Sequence, residues 1–262
     1  MTDAHCHVSC GDLSVRELLV GRDFFGVHPW ETLEGRVGGN PPCQDGDEIV
    51  RWLREKLAEN PGAGVGEIGL DRLKCRDVPP LMREVFEAQL ALALELDRPV
   101  VLHGAKCWGQ VVAAVKMALS NCRFNPRLSA VGCRQSTTDS RQSDDDSRRP
   151  TTGVTFLFHG FSRSDGLIPD IVKLNGYISV GPAVLNDHAV NYRALVKKIP
   201  LDRLLVETDR TQPPTADHEP PVTLSAVLAK TAEIRGLPVG ELERITDENA
   251  ARFMRRGRPA LG

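Results

Sequence analysis

The sequence predicts an α/β fold of the TIM-like (β/α) barrel type, because short aliphatic runs alternate along the chain with longer stretches of helical period. The chain has 262 residues, of which 41% are hydrophobic and 26% are charged, so it can bury a large core without disulfide support. We therefore expect one barrel domain over residues 1–262, interrupted by an insertion near 121–152.

Seven strand segments, each rich in aliphatic or β-branched residues, alternate with seven helical segments. The strands are predicted at 2–7, 23–28, 63–69, 98–103, 153–159, 176–181 and 203–208. The helices are predicted at 47–59, 79–96, 108–119, 165–174, 188–198, 221–235 and 239–254. In the second helix, apolar side chains recur about every 3.6 residues, so one face should pack on the barrel.

The segment 121–152 interrupts this alternation and is rich in Ser, Arg, Thr and Asp. Its low apolar content cannot offset the entropy cost of ordering, so the composition predicts a flexible insertion. The alternative is a mobile arm whose arginines touch a phosphate-bearing substrate. The aspartates interspersed among those arginines argue against that alternative.

Composition also limits the class of protein. No apolar run approaches the roughly 20 residues of a membrane span, and the first ten residues carry no signal peptide, so we expect a cytoplasmic protein. The seven cysteines are scattered without CxxC spacing, which favours reduced thiols. A net charge of −2 gives no overall attraction to nucleic acid, so any such contact must be local.

The first predicted strand contains two histidines in the sequence Asp3-Ala4-His5-Cys6-His7. Side chains two residues apart on a strand point to the same side, so His5 and His7 can bind one metal ion together. A pair of this kind is common, and on its own it is equally consistent with a structural role. Cys6 should face the opposite side as a buried, inert thiol.

Four further residues, all of types that bind metal ions, lie at the ends of predicted strands: Glu67, His103, His159 and Asp209. The carboxyl ends of barrel strands meet at one rim, where barrel enzymes carry their active sites, so all six side chains should converge. Six nitrogen and oxygen ligands suit Zn²⁺, Mg²⁺ or Mn²⁺ and exceed what one open site needs. We therefore predict two divalent metal ions that share a carboxylate and generate a hydroxide nucleophile.

The chain resembles the TatD family of metal-dependent hydrolases (TatD-related DNases) through motifs that span nearly its whole length. They are DAHCH (3–7), GVHPW (26–30), GEIGLD (66–71), PVVLH (99–103), FHGFSRS (158–164), IPLDRLLVETD (199–209) and ENAARF (248–253). The resemblance implies a two-metal DNase, including 3′-to-5′ exonuclease action, that binds DNA or another phosphodiester substrate transiently.

The resemblance also implies a role for each site residue. His5, His7 and Asp209 are expected to bind one ion, His103 and His159 the second, and Glu67 to bridge them. Asp209 and Glu67 are then the catalytic carboxylates, and Asp209 orients or deprotonates the attacking water. Three more residues are expected nearby: His28 as a substrate contact or a structural strand-end histidine, Lys106 as a phosphate contact or a solvated lysine, and Glu207 as a hydrogen-bonding support of the metal ligands.

The chain departs from the family pattern in three places. About 20 residues separate His7 from His28, too few for a strand and a crossover helix, so we expect seven strands, one βα unit short, or an irregular eighth position. Ala105 stands where the family often has a basic residue, and Lys106 follows it. The 121–152 insertion has no counterpart.

Other interpretations remain open from the sequence alone. The same metal pair suits an amidohydrolase-type deacylase or esterase, because it can polarise a carbonyl. A catalytically inactive barrel that acts as a binding protein is the third alternative. Basic groups near the mouth would favour a phosphate substrate, and the candidates are Lys106, Arg163, Arg210 and Arg72. Trp108 could stack on a nucleobase, although core packing is favoured. The sequence does not indicate an oligomeric state.

Overall fold

The structure, a computed structural model, describes residues 1–34, 45–124, 153–212 and 222–255. Eight strands lie within these ranges, and all of them pair in parallel. They are β1 (Thr2–Cys6), β2 (Arg16–Leu19), β3 (Phe24–Phe25), β4 (Gly64–Asp71), β5 (Val100–Ala105), β6 (Phe156–Phe158), β7 (Gly176–Val180) and β8 (Leu204–Val206).

The strands follow one another in chain order. β1 pairs with β2, and β3 to β8 form a six-stranded sheet. Hydrogen bonds connect the two sheets at both junctions: Val20 forms a parallel bridge with Phe24, and the Asp209 amide donates to the His5 carbonyl at 3.1 Å. The carboxyl ends of all the strands therefore lie at one rim.

The described ranges contain eight strands rather than seven, which agrees with the alternative of an irregular eighth position, because Arg16–Leu19 forms β2. This strand lies in the short segment between His7 and His28, which we expected to be too short for a strand and a crossover helix. Residues 7–15 cross from β1 to β2 without a helix, so the missing element is the crossover helix. β2 is only four residues long, which explains why alternation over so short a segment did not identify it.

Eight helices are present in the described ranges. They are α1 (Pro29–Glu34), α2 (Gly46–Glu59), α3 (Pro80–Glu95), α4 (Trp108–Phe124), α5 (Ile168–Lys173), α6 (Val190–Lys198), α7 (Leu224–Arg235) and α8 (Val239–Phe253). Helix α1 was not expected. Helix α4 continues past the predicted start of the insertion at 121, so the first residues of that segment are helical, and 125–152 lies outside the described residues. No described helix has the length and apolar character needed to span a bilayer.

Two layers of apolar side chains form most of the core. The larger layer lies between the strands and the helices that pack on them. The smaller lies inside the ring of strands, where Phe253 of α8 packs against Phe24 and Tyr177, each at 5.9 Å between ring centroids. Because Phe24 and Tyr177 lie near the amino ends of their strands, α8 covers that end, and the carboxyl rim remains for the site.

Candidate metal centre

The structure brings the six predicted ligands together at the carboxyl rim. His5 lies on β1 and His7 directly follows it, while Glu67 and His103 lie on β4 and β5. His159 and Asp209 follow β6 and β8. Three groups of donor atoms lie within 4.8 Å of one another and could hold an ion: His5, His7 and Glu67; His5, His159 and Asp209; and His28, Glu67 and His103.

Glu67 lies at the middle of the cluster and is 3% exposed. Its Oε2 lies 3.2 Å from His5 Nε2 and 3.3 Å from His7 Nε2. Its Oε1 lies 2.5 Å from both His103 Nδ1 and His159 Nε2. Burial alone would raise the pKa of this carboxyl, but the surrounding histidines outweigh it and hold the pKa well below its usual range. Oε2 therefore lies beside His5 and His7, whereas Oε1 lies beside His103 and His159.

Asp209 lies on the Oε2 side of Glu67, at the open edge of the cluster. Its Oδ1 is 3.6 Å from His5 Nε2 and 3.7 Å from His7 Nε2. Its backbone has a φ of 49°, in the left-handed region. Non-glycine residues rarely occupy this region, and they do so mainly where the surrounding structure holds them at a functional site.

His103 is held from its far side by Asp71, which the sequence interpretation missed. Asp71 Oδ2 lies 2.7 Å from His103 Nε2 and accepts a hydrogen bond from Trp30 Nε1 at 2.9 Å. Burial lowers the pKa of His103, but the carboxylates of Asp71 and Glu67 outweigh it and raise that pKa to about 9. The signal that identifies Asp71 is its spacing, because it lies four residues after Glu67 on the same face of β4.

Two more buried carboxylates support the strand ends. Glu207, which was expected to support the ligands, accepts hydrogen bonds from the Gly160 amide at 2.8 Å and Ser179 Oγ at 2.5 Å. Burial raises its pKa well above the usual range. Asp3, which the sequence interpretation left without a role, accepts from the Thr208 amide and hydroxyl at 2.9 and 2.6 Å. Glu207 thereby restrains the backbone next to His159, and Asp3 restrains the backbone next to Asp209.

His28 lies on the Oε1 side of Glu67, with its Nε2 3.5 Å from that oxygen. It is half-buried, and its Nδ1 accepts a hydrogen bond from the Trp30 amide at 3.1 Å. This position places His28 among the candidate metal donors as well as at the mouth. The substrate contact expected from the sequence stays a prediction.

The four basic candidates have different environments. Lys106 is exposed at a positive φ of 57°, two residues before the start of α4. Arg163 lines a cavity of about 1130 Å³, whose wall also includes Asp209. Arg210 lies 3.6 Å from the Glu17 carboxylate on β2, and Arg72 Nε donates to the Arg76 carbonyl at 2.9 Å. Arg163 is therefore the candidate with the best access to a substrate beside Asp209.

Trp108 and Cys6 have the structural roles that the sequence favoured. Trp108 is 5% exposed and packs against Phe158 and Phe161, with ring centroids 5.8 and 5.3 Å apart. Its ring is therefore closed to a nucleobase, and the stacking alternative for this residue is wrong. Cys6 is fully buried, and its thiol donates to the Leu18 carbonyl.

The donor set fits divalent cations. The facing atoms are imidazole nitrogens and carboxylate oxygens, the ligands that zinc and manganese accept. Both ring nitrogens of His103 face carboxylate oxygens, Nδ1 that of Glu67 at 2.5 Å and Nε2 that of Asp71 at 2.7 Å. A neutral imidazole has one N–H group and can donate to only one of them, so the other nitrogen needs a proton or a cation. The residues present therefore fit bound metal.

A parallel α/β barrel that gathers histidines and carboxylates at the carboxyl ends of its strands has the architecture of a metal-dependent hydrolase. The family model described as TatD related DNase matches residues 21–255 of this chain. The chain belongs to the TatD family and is a metal-dependent hydrolase, as the sequence motifs predicted.

Similar proteins cover most of the chain. The uncharacterized metal-dependent hydrolase YabD of Bacillus subtilis is 27% identical over 213 residues, which are 80% of this chain and 71% of that protein. The 3′-5′ ssDNA/RNA exonuclease TatD of Pectobacterium atrosepticum is 27% identical over 240 residues, 88% of this chain and 76% of that protein. The solved structure of YJJV, a TatD homolog from Escherichia coli K12, superposes with a TM-score of 0.63 at 24% identity, covering 93% of this chain and 78% of that one. This likeness confirms the predicted fold class.

Proposed function

We propose that the protein is a nuclease that hydrolyses phosphodiester bonds of single-stranded DNA or RNA from the 3′ end, using two divalent cations. The observation that carries the proposal is the position of Glu67, whose two oxygens face two separate histidine pairs. A shared carboxylate is typical of two-metal centres for displacement at phosphorus. The name of the Pectobacterium relative supports the choice of substrate.

In this proposal two ions would be held around Glu67. His5, His7 and Asp209 would bind the first, because His5 Nε2 and His7 Nε2 lie within 3.3 Å of Glu67 Oε2 and within 3.7 Å of Asp209 Oδ1. His103 and His159 would bind the second, because His103 Nδ1 and His159 Nε2 lie 2.5 Å from Glu67 Oε1. The ions are Zn²⁺, Mg²⁺ or Mn²⁺, since all of the donors are nitrogen or oxygen atoms.

The bound ions would supply an activated water and neutralise the charge on the scissile phosphate. The chain supplies the rest of the chemistry. Asp209, at the open edge of the cluster, orients the attacking water and accepts its proton. Asp71 fixes the ring of His103 through the other imidazole nitrogen, which is the usual support of a ligating histidine. Arg163, Lys106 and His28 would contact substrate phosphates.

The test combines metal content with substrate choice. Metal per chain is measured on purified protein, and the same protein is given single-stranded DNA and RNA oligonucleotides labelled at the 5′ or 3′ end, and a panel of esters and amides. We expect close to two ions per chain and stepwise shortening from the 3′ end. Hydrolysis of only the esters or amides would overturn the proposed nuclease function and favour a deacylase or esterase.

Variants connect this activity to the site. His103→Ala and Asp209→Ala should each lose activity and metal, whereas Glu59→Ala, which changes an exposed carboxylate of α2 outside the three donor groups, should retain both. Activity that survives both site substitutions would contradict the proposed centre. The cytoplasmic location and the transient binding of substrate stay predictions from the sequence.

A further inference from the structure

The mouth of the metal centre carries an aromatic ring that the proposed chemistry does not use. Trp30 is the second residue of α1 and is 36% exposed. Its ring centroid lies 5.1 Å from that of His28 and 6.4 Å from that of His103. A substrate whose phosphate occupies the centre would therefore bring its neighbouring groups within reach of this ring.

The indole is held in place by the same carboxylate that supports His103. Trp30 Nε1 donates to Asp71 Oδ2 at 2.9 Å, and this oxygen lies 2.7 Å from His103 Nε2. The polar edge of the ring is therefore satisfied inside the protein, and the exposed third of the side chain remains for contact. A fixed aromatic ring of this kind gives a large contact area at little cost in conformational entropy.

The surroundings of the ring combine a cation with apolar groups. Lys74 Nζ lies 3.8 Å from the centroid of the Trp30 ring, which is a cation–π contact. Two exposed leucines are near these residues in the chain. Leu33, three residues after Trp30, is 41% exposed, and Leu73, directly before Lys74, is 55% exposed. A nucleotide offers the matching chemistry, because its base has a flat apolar face and its phosphate is an anion.

We propose that Trp30 and Lys74 form a nucleotide subsite, in which Trp30 stacks on the base next to the scissile phosphate and Lys74 binds a phosphate of the same strand. The inference rests on the proposed nuclease function and adds a reason for the single-stranded substrate. In a duplex the neighbouring bases cover both faces of each base, whereas an unpaired base can leave its stack for the protein ring.

The test separates the base from the phosphate chain. Metal-loaded protein is given a single-stranded DNA oligonucleotide and a matched one whose bases near the 3′ end are replaced by abasic residues. Aromatic stacking contributes enough per base to predict a KM that is about tenfold or more lower for the base-bearing strand. Trp30→Ala should remove most of this preference with a smaller change in kcat. Val239→Ala, which changes an exposed apolar side chain at the start of α8, should behave like the wild type.

Trp30→Phe distinguishes stacking from support of Asp71. Phenylalanine keeps an aromatic face but lacks the Nε1–H group, so the preference for bases should largely remain. If Trp30→Phe and Trp30→Ala weaken hydrolysis of both oligonucleotides equally, the ring only positions Asp71 and His103, and the subsite is overturned. If the wild type hydrolyses neither strand, the nuclease function fails and the subsite with it. A wild type that hydrolyses both strands with equal KM overturns the subsite alone.

Lys74 has its own readout in the salt dependence of KM. A lysine that neutralises one phosphate of a single strand adds about 0.7 to the slope of log KM against log salt. Lys74→Ala should lower the slope by about this amount. Lys116→Ala, which removes a lysine paired with Asp170 on another face, should leave the slope unchanged. An unchanged slope in Lys74→Ala would contradict the phosphate contact.

Discussion

At the scale of single residues, the charge of Glu67 organises the centre. Its carboxylate is almost fully buried, which alone would raise its pKa, yet His159, His103 and His28 hold that pKa well below its usual range. An ionised carboxylate at this depth is stabilised only when paired charges or hydrogen bonds replace the lost water. The Glu67 carboxylate is therefore suited to bind cations, and its two oxygens offer two separate places for them.

Glu67→Gln should abolish metal binding while keeping the volume of the side chain. The substitution removes the negative charge shared by both histidine pairs, and even the loss of an outer partner of a metal ligand costs about 10–100-fold in affinity or activity. We expect less than one ion per chain and a fall in activity of more than about 100-fold. Glu59→Gln, on the exposed surface of α2, is the matched control. Two ions bound by Glu67→Gln would contradict the central role of this residue.

Asp71→Asn should weaken metal binding without abolishing it. Asp71 contacts His103 rather than Glu67, so its loss leaves every proposed ligand in place but frees the imidazole ring. We expect the metal concentration for half-maximal activity to rise about 10–100-fold, with activity recovered at excess metal. The measurement is a metal titration of the chelated protein. Equal titration curves for variant and wild type would exclude the support role.

At the scale of elements, β2 is attached to the end of β8 by a buried ion pair. The side chains of Glu17 and Arg210 are 6% and 11% exposed, with Arg210 NH1 3.6 Å from the carboxylate. Glu17 also accepts hydrogen bonds from Ser9 Oγ at 2.5 Å and the Cys10 amide at 2.6 Å. Through these contacts Glu17 links the connection that follows His7 to Arg210, the residue after Asp209. The link lies in the part of the barrel that lacks a crossover helix.

Glu17→Ala should destabilise the fold much more than loss of an exposed pair. The substitution leaves the Arg210 guanidinium buried without its partner charge, which costs about 3 kcal/mol in free energy of unfolding. Glu95→Ala breaks the exposed pair with Arg54, where both side chains are more than a third exposed, and should cost no more than about 1 kcal/mol. Urea unfolding measures both. Equal losses would show that the Glu17 pair does not stabilise this junction.

Helix α8 holds the start of β8 through Asn249. This fully buried side chain donates from Nδ2 to the carbonyls of Leu201 and Leu204, each at 2.7 Å. Asn249→Ala leaves two carbonyls without these donors, and we expect a loss of about 2 kcal/mol in free energy of unfolding. Glu248→Ala, the exposed neighbour, should lose less than about 0.5 kcal/mol. The comparison is made by urea unfolding, and equal values would contradict the role of the amide.

At the scale of the whole molecule, the barrel explains what could be predicted from sequence. His103 and His159 were identifiable because each ends an aliphatic run, and parallel strands bring such ends to one rim. Asp3 and Trp30 were missed, since their roles depend on which neighbours the folded rim places beside them, and Asp71 was missed although its spacing from Glu67 places both on one face of β4. β2 was missed for a similar reason: its four residues form a strand through pairing with β1 rather than through their own pattern.

Because the ligands come from both sheets, bound metal should stabilise the whole barrel. His5 lies on β1, while Glu67 and His103 lie on strands of the six-stranded sheet, so ions shared among them cross-link the two. An ion present at 100 times its Kd stabilises the folded state by about 2.7 kcal/mol. For a domain of this size, 1 kcal/mol corresponds to about 2–4 °C in Tm.

Removal of metal by EDTA should therefore lower the Tm of the wild type by roughly 10 °C if two sites are lost together. The shift should return on addition of Zn²⁺ or Mn²⁺ and grow with ion concentration. Glu67→Gln should show little shift, because it cannot bind the ions, whereas Glu59→Gln should shift like the wild type. The measurement is thermal unfolding followed by circular dichroism. A wild-type Tm that is independent of metal would contradict ions that join the two sheets, since binding to the folded state alone must raise its stability.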